Sequence, residues 1–369
     1  MSFWIYGGRA GAVRRSSRAT QCFFLLLMAF LAVVLPIRQA KAQGCIIAHS
    51  TGQVMGPETQ GGYLAPKHWQ LTVDGRHQFS FRHFVGPVEQ EYRLELGNQV
   101  ENKINLFNFN LTYQATERWS VSVEAPLLFA TRRSNNSPIT MSSQGLGDMP
   151  VTSQVWLLKP SKAQRGNVAI SFGIQFPTGR SDIQEVTEAT VGGTRTTKAD
   201  DYSIQPGIGG WGIALGGQGF RAVGKNAVFY ADGSYLITPQ DTNNTLTGQT
   251  TPLNKYVSIS DEYLAEAGIA HPITTLHALN GMAITFGPRI EGVPAHDLIG
   301  SNDGFRRPGF AISIVPGIQY VRSRSILTFQ VGRAIYRDRV RSYPDEVNNA
   351  HGDAAFADYL WLASYTYRF

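Results

Sequence analysis

The sequence predicts an all-β chain that closes into a transmembrane, antiparallel up-and-down β-barrel of about twelve strands, behind an N-terminal signal peptide. Three observations predict it. The last strand alternates aromatic and polar residues and stops on Phe369, the period-two segments are longer than ordinary strands, and the connections between them alternate long and short.

The leader comes first. Arg9, Arg14, Arg15 and Arg18 precede an apolar run from Phe23 to Leu35, and Ala40-Lys41-Ala42 supplies a small-x-small cleavage site. That is the layout of a secretory signal peptide over residues 1–42. The apolar run falls short of the roughly 20 residues a spanning helix needs. Ser16 and Ser17 follow Arg14-Arg15 where a twin-arginine leader has large apolar residues, so the general secretory route is expected. Cys22 leaves with the leader, and Cys45 remains as a lone thiol that can form no internal disulfide. No large aliphatic residue stands three positions before Cys45, so a lipid anchor there is not expected. Six of the 33 basic residues lie in the leader, which has no acidic residue, so the net charge of +6 belongs to the precursor. The mature chain is balanced and gives no ground for nucleic-acid binding.

Residues 43–68 have no periodicity. Glycines at 52, 56, 61 and 62, with Pro57 and Pro66, suit either a free periplasmic lead-in or a plug.

The barrel is expected over residues 69–369. In the first strand Trp69, Leu71, Val73, Gly75, His77, Phe79 and Phe81 share one face, while Gln70, Thr72, Asp74, Arg76, Gln78, Ser80 and Arg82 share the other. Ordinary strands run to about five or six residues, whereas crossing an apolar band of about 25 Å at a tilt takes ten or more. Phe107–Tyr113 and Trp119–Phe129 repeat the pattern. Further strands are expected near Met149–Leu158, Val168–Phe176, Ile204–Phe220, Ala227–Ile237, Tyr256–Ala270, Met282–Val293, Phe310–Val321 and Ile326–Tyr336, with the last beginning near Phe356. Twelve is an even count, as a single-chain barrel with both ends in the periplasm requires. His77 and Arg333 fall on the lipid side, and Gly75 and Gly332 nearby suggest bulges that rotate the phase.

The final strand places Trp361, Tyr365, Tyr367 and Phe369 on the lipid face. This is the pattern expected of an insertion signal, and it makes outer-membrane lipid and the barrel-assembly machinery the expected partners.

Catalytic constellations are missing: no G-x-S-x-G, H-E-x-x-H, P-loop or zinc-spaced Cys/His cluster occurs, nor the His-x-Ser-Asn-Gly motif of an outer-membrane phospholipase. No enzymatic activity and no cofactor or metal are expected. Asp200-Asp201 and Asp261-Glu262 lack the oxygen spacing of a calcium loop and read as solvated loop charge. The candidate lumen charges are Asp74, Arg76, Arg82, Glu124, Asp232, Glu266, Arg289 and Glu291. They suit either a salt-bridge network stiffening the wall or a constriction that selects solutes.

Gly145-Leu146-Gly147-Asp148 enters the fourth strand, and Phe176-Pro177-Thr178-Gly179 closes the fifth. These two steps resemble the outer-membrane family named for the MetA pathway of phenol degradation, over most of Trp69–Phe369. The resemblance implies a link to the uptake or handling of aromatic compounds and carries no catalytic residues. The expected function is passive passage of small solutes, hydrophobic or aromatic ones by that resemblance. The alternative is a structural or surface-interaction barrel with a closed lumen.

Overall fold

The computed structural model describes residues 63–134, 137–163, 165–188, 192–224, 226–273 and 279–369. The leader, Cys45 and most of the lead-in lie outside the described residues.

Twelve strands form the wall: β1 (Trp69–Val85), β2 (Val100–Gln114), β3 (Trp119–Ser134), β4 (Met149–Trp156), β5 (Gly166–Phe176), β6 (Gly212–Val223), β7 (Ala227–Ile237), β8 (Glu262–Pro272), β9 (Met282–Val293), β10 (Gly309–Arg322), β11 (Ser325–Asp338) and β12 (Ala354–Arg368). Each pairs antiparallel with its neighbours in sequence, and β12 returns to pair with β1, from Gln70 opposite Arg368 to Phe84 opposite Ala354. Closure leaves no free edge, which a hydrocarbon environment demands because it offers backbone amides no partner. The outer face carries the exposed apolar row: Leu71, Phe107, Phe109, Leu111, Ile170, Phe172, Phe229, Ile269, Phe286, Phe329 and Trp361 among others. Near one rim Trp69 tilts against Tyr113 (4.6 Å between ring centroids) and Tyr367 stacks near Phe369 (6.2 Å), an aromatic girdle. Both ends of the wall, Trp69 and Phe369, lie at this rim with the short turns. The other rim carries the long loops. This is the architecture of a protein of the bacterial outer membrane.

Two strand assignments need correction. The expected strand Ile204–Phe220 begins at Gly212, since Tyr202–Ile204 forms a 3-10 turn. The expected Tyr256–Ala270 begins at Glu262, and Tyr256–Ser258 pairs instead with Thr242–Leu246 above the rim. In both cases the apolar residues that extended the pattern are buried inside the loop layer rather than in the wall. The bulges also sit elsewhere than expected. Along the β1–β12 seam they lie between Gln78 and Arg82 rather than at Gly75, and between β10 and β11 the register shifts opposite Ile312 and Ser313, at Ile335 of β11 rather than at Gly332. His77 keeps its outward position, where its Nδ1 donates to Oδ1 of Asn105 on β2 (2.7 Å). Arg333 is exposed on the outer face.

The wall bends where the familiar motifs meet. Upper β3 (Leu127–Arg133) pairs with Thr140–Leu146, lower β3 (Trp119–Val123) pairs with β4, and Gly147-Asp148 forms the step between. A Cβ on Gly147 would lie 2.9 Å from Cγ of Pro126 and 3.0 Å from the Pro206 carbonyl oxygen. Only glycine lets these three segments approach.

Candidate functional site: the bore and its cap

Inward side chains on β1, β8 and β9 form a chain of charges. Arg76 donates through Nη2 to Oε1 of Glu291 (2.6 Å) and through Nη1 to Oε2 (3.1 Å). Glu291 also accepts from Arg289, whose Nη2 stands 3.0 Å from Oε2. Arg289 then reaches Glu266 (3.3 Å), and Glu266 accepts from Tyr230 Oη (3.2 Å) and Gln330 Nε2 (3.0 Å). β1 and β9 are not neighbours in the wall, so the Arg76–Glu291 pair is a strut across the bore. Arg289 is 1% exposed, so its charge is supported by protein partners such as these rather than by solvent. Removing either member of such a buried pair strands the other, which costs far more than the pair contributes.

Thus Asp74, Arg76, Asp232, Glu266, Arg289 and Glu291 share the mid-bore: Asp74 is two residues from Arg76 on the same inward row, and Asp232 is in register with Glu266. Glu124 stands apart on β3, where its carboxylate accepts from Asn108 (2.6 Å) and Asn110 (3.1 Å) of β2. Arg82 belongs to neither group. Beyond the bulge in β1 it pairs with Glu89 and Asp358 (2.8 Å) near the loop rim, and Arg337 joins Asp358 from the other side.

Beside the strut lies a cavity of about 360 Å³. Its lining begins at the short-turn rim with Tyr63, Gln70 and Arg368, and ends near the loop rim with Asp148 and Glu262. β1 to β5 present amides and hydroxyls to it, whereas Ala214, Leu236 and Leu264 on β6 to β8 add an apolar patch. At the lower mouth Tyr63 sits edge-on to Trp156 (5.3 Å) and near Phe220 (6.2 Å), while its hydroxyl accepts from Asn167 (2.9 Å). The end of the lead-in therefore reaches the bore. Glu262 also lines a second, smaller cavity of about 40 Å³ within the loop layer.

The cap is built by residues 200–208 of the loop between β5 and β6. Ile204 is fully buried against Ile104 and Leu106 of β2 and Leu128 and Ala130 of β3. Asp201 caps the 3-10 turn by accepting from the Ser203 amide (3.1 Å). It also pairs with Arg307 through both oxygens (2.8 and 2.7 Å) and with Arg132 (3.2 Å). Asp148 fixes the other end, accepting from the amides of Gly179 (2.8 Å) and Ile208 (2.7 Å). Gly179 and Gly207 cross so closely that a Cβ on either would come within 2.7 Å of the other's backbone. The two motifs thus form a staple that ties the cap to the wall.

These contacts correct the expectation of solvated loop charge. Asp200, Asp261 and Glu262 are buried, and Asp201 is latched by two arginines. Asp261 accepts from the Thr238 and Leu298 amides and from Tyr235 Oη, so it organises the rim. The adjacent aspartates titrate in opposite directions. Burial, with the charges of Glu185 and Asp201, pushes Asp200 up to about 6, against the hydrogen bond from Ser143. Burial opposes ionisation of Asp201 too, yet Arg132 and Arg307 hold it well below the usual carboxylate range. Among the described residues no group of three or more His, Cys, Asp or Glu could hold a metal ion. Sequence reasoning missed Ile204, Arg132, Arg307, Asp358 and the role of Asp148, for which only the paired glycine motifs gave a signal.

No family model and no curated protein matches the chain. Among solved structures, an outer-membrane channel of Pseudomonas putida F1 superposes with a TM-score of 0.55 at 12% identity, covering 86% of this chain and 100% of that one. The two share a fold. The β domain of the Bordetella autotransporter BrkA aligns more loosely (0.47, 12% identity, 82% and 100% covered), as does the P. putida toluene transporter TodX (0.40, 9%, 83% and 91%).

Proposed function

We propose that the chain is a passive outer-membrane channel for small solutes with one apolar and one polar face, aromatic compounds bearing a polar group being the class in view. The observation that carries this is a cavity lined by residues of both rims, with amides on one wall and Ala214, Leu236 and Leu264 on another. A solute of that kind satisfies both walls at once, whereas a wholly apolar one would strand the amides. The sequence resemblance points to the same class, and the missing catalytic motifs leave the reading non-enzymatic. The test is reconstitution into liposomes with a panel of small solutes, aromatic acids and phenols included. Flux above protein-free vesicles is expected for some of them, and none for any solute would defeat the proposal.

A specific observation favours a second reading, a structural barrel. The strut from Arg76 to Glu266 crosses the bore, and the latched cap packs against the wall at its loop end. Wild-type barrels that stay silent while cap-loosened variants conduct would support it.

We further propose that the C-terminal row is read by the assembly machinery. Deleting Phe369 should lower outer-membrane yield several-fold while leaving secretion intact. Unchanged yield would remove the last strand as the signal.

A further inference from the structure

The cavity is unbalanced in charge and in hydrogen bonding. Five carboxylates line it, those of Asp74, Glu124, Asp148, Asp232 and Glu262, against the single cation Arg368 at the lower mouth. Among the described residues Glu124 has only the neutral amides of Asn108 and Asn110.

A second observation points the same way. Asn108 is 4% exposed and lines the cavity, and its Oδ1 has no donor among the described residues. Its orientation is fixed, since the Nδ2 end must be the one that donates to the Glu124 carboxylate (2.6 Å). Gln319, 1% exposed and also on the cavity wall, likewise has an Oε1 without a donor. Two buried acceptors are therefore left over in a cavity lined by carboxylates, and buried polar atoms of this kind are rare unless something satisfies them.

We infer that the cavity contains a binding site for a small cation, an alkali-metal ion or the ammonium group of a solute, centred on Glu124 and Asn108, with Asp232 lining the same cavity from β7. Cation preference during passage follows from it and rests on the channel reading; the site itself does not. Carboxylates in a narrow polar bore lower the energy of cations and raise that of anions, the principle by which acidic rings select cations. A carbonyl oxygen such as Asn108 Oδ1 adds a ligand beside the Glu124 carboxylate without adding charge.

Two measurements on the full mature barrel test this. In planar bilayers across a KCl gradient, the reversal potential of the wild type should give a K⁺ permeability several-fold above that of Cl⁻. Glu124→Gln with Asp232→Asn should remove most of that preference, heat-modifiable migration serving to show that the variant is folded. Crystals soaked in rubidium chloride should show an anomalous peak beside Glu124 that the double variant lacks. A conducting wild type that prefers Cl⁻, or is indifferent, overturns cation preference. Absence of the rubidium peak overturns the site. A silent barrel that still shows the peak would retain the site and remove the channel reading alone.

Discussion

Strands β1 to β5 and strands β8 and β9 both send every second residue into the bore, yet the first group lines the cavity along its length and the second fills the bore beside it at Glu266, Arg289 and Glu291. On the first side the inward residues are short or amide-bearing, such as Asn110, Thr112, Ser120, Thr152 and Gln154, and they settle against their own neighbours. On the second, Arg289, Glu266 and Glu291 are long and charged, and they reach across to Arg76 and Gln330. Alternation decides which residues enter the bore. Their length and charge decide whether the bore is filled.

Breaking the filled side should have the largest effect. Arg289→Met leaves Glu266 and Glu291 without their shared guanidinium and should cost about 3–5 kcal/mol. The urea midpoint of the folded band on a semi-native gel measures it, and a loss below about 1 kcal/mol would make the two sides energetically alike. Next comes the cap. Ile204→Ala should cost about 2–4 kcal/mol of docking energy, because its methyl groups fill the seat among Ile104, Leu106, Leu128 and Ala130. Protease cleavage within residues 177–211 should rise sharply while the barrel itself stays folded; an unchanged cleavage rate would mean that Ile204 does not hold the cap.

The pH response should be smaller. Because Asp200 is raised to about 6 in the folded cap, its burial is tolerated best when protonated. Stability is then lost as pH rises from about 4 to 6, on the order of 1 kcal/mol after allowing for screening. Asp201 has the opposite sign: its ion pairs hold above the ordinary carboxylate range and weaken only when strong acid protonates it. Protease susceptibility of the cap should therefore increase between pH 4 and 6 in the wild type and stay flat in Asp200→Asn. A parallel rise in both proteins would contradict the assignment. The smallest effect belongs to the open side. Glu124→Gln keeps an acceptor for one amide and should shift stability by less than about 1 kcal/mol. A loss as large as that of Arg289→Met would erase the contrast between the two walls.

Much of the wall was legible in the sequence because period-two alternation is a local property that each strand carries by itself. The boundaries at Gly212 and Glu262 were not, since apolar residues such as Ile204 and Val257 pack inside the loop layer and mimic a continuing strand. The lumen charges were legible as inward positions, Arg289 and Glu291 among them. Their partners were not, because strands as far apart in sequence as β1 and β9 meet only through closure and tilt. Loops lack periodicity, so the latch of Asp201 with Arg307 had no sequence signature.

The seam between β1 and β12 also governs how the molecule is made. Trp69 and Phe369 exchange backbone hydrogen bonds (3.1 and 3.0 Å), and Thr72 meets Thr366 across 294 residues of chain. Every other strand pair of the wall joins sequence neighbours, so the ring cannot close until Ala354–Arg368 is in place, and until then the sheet keeps a sticky edge that must be shielded. The entropy of bringing the two ends together rises only logarithmically with the chain between them, about 0.6 kcal/mol per doubling. A hairpin gained or lost elsewhere would therefore leave the difficulty of closing the seam almost unchanged, and barrels of this design can change circumference in steps of two strands.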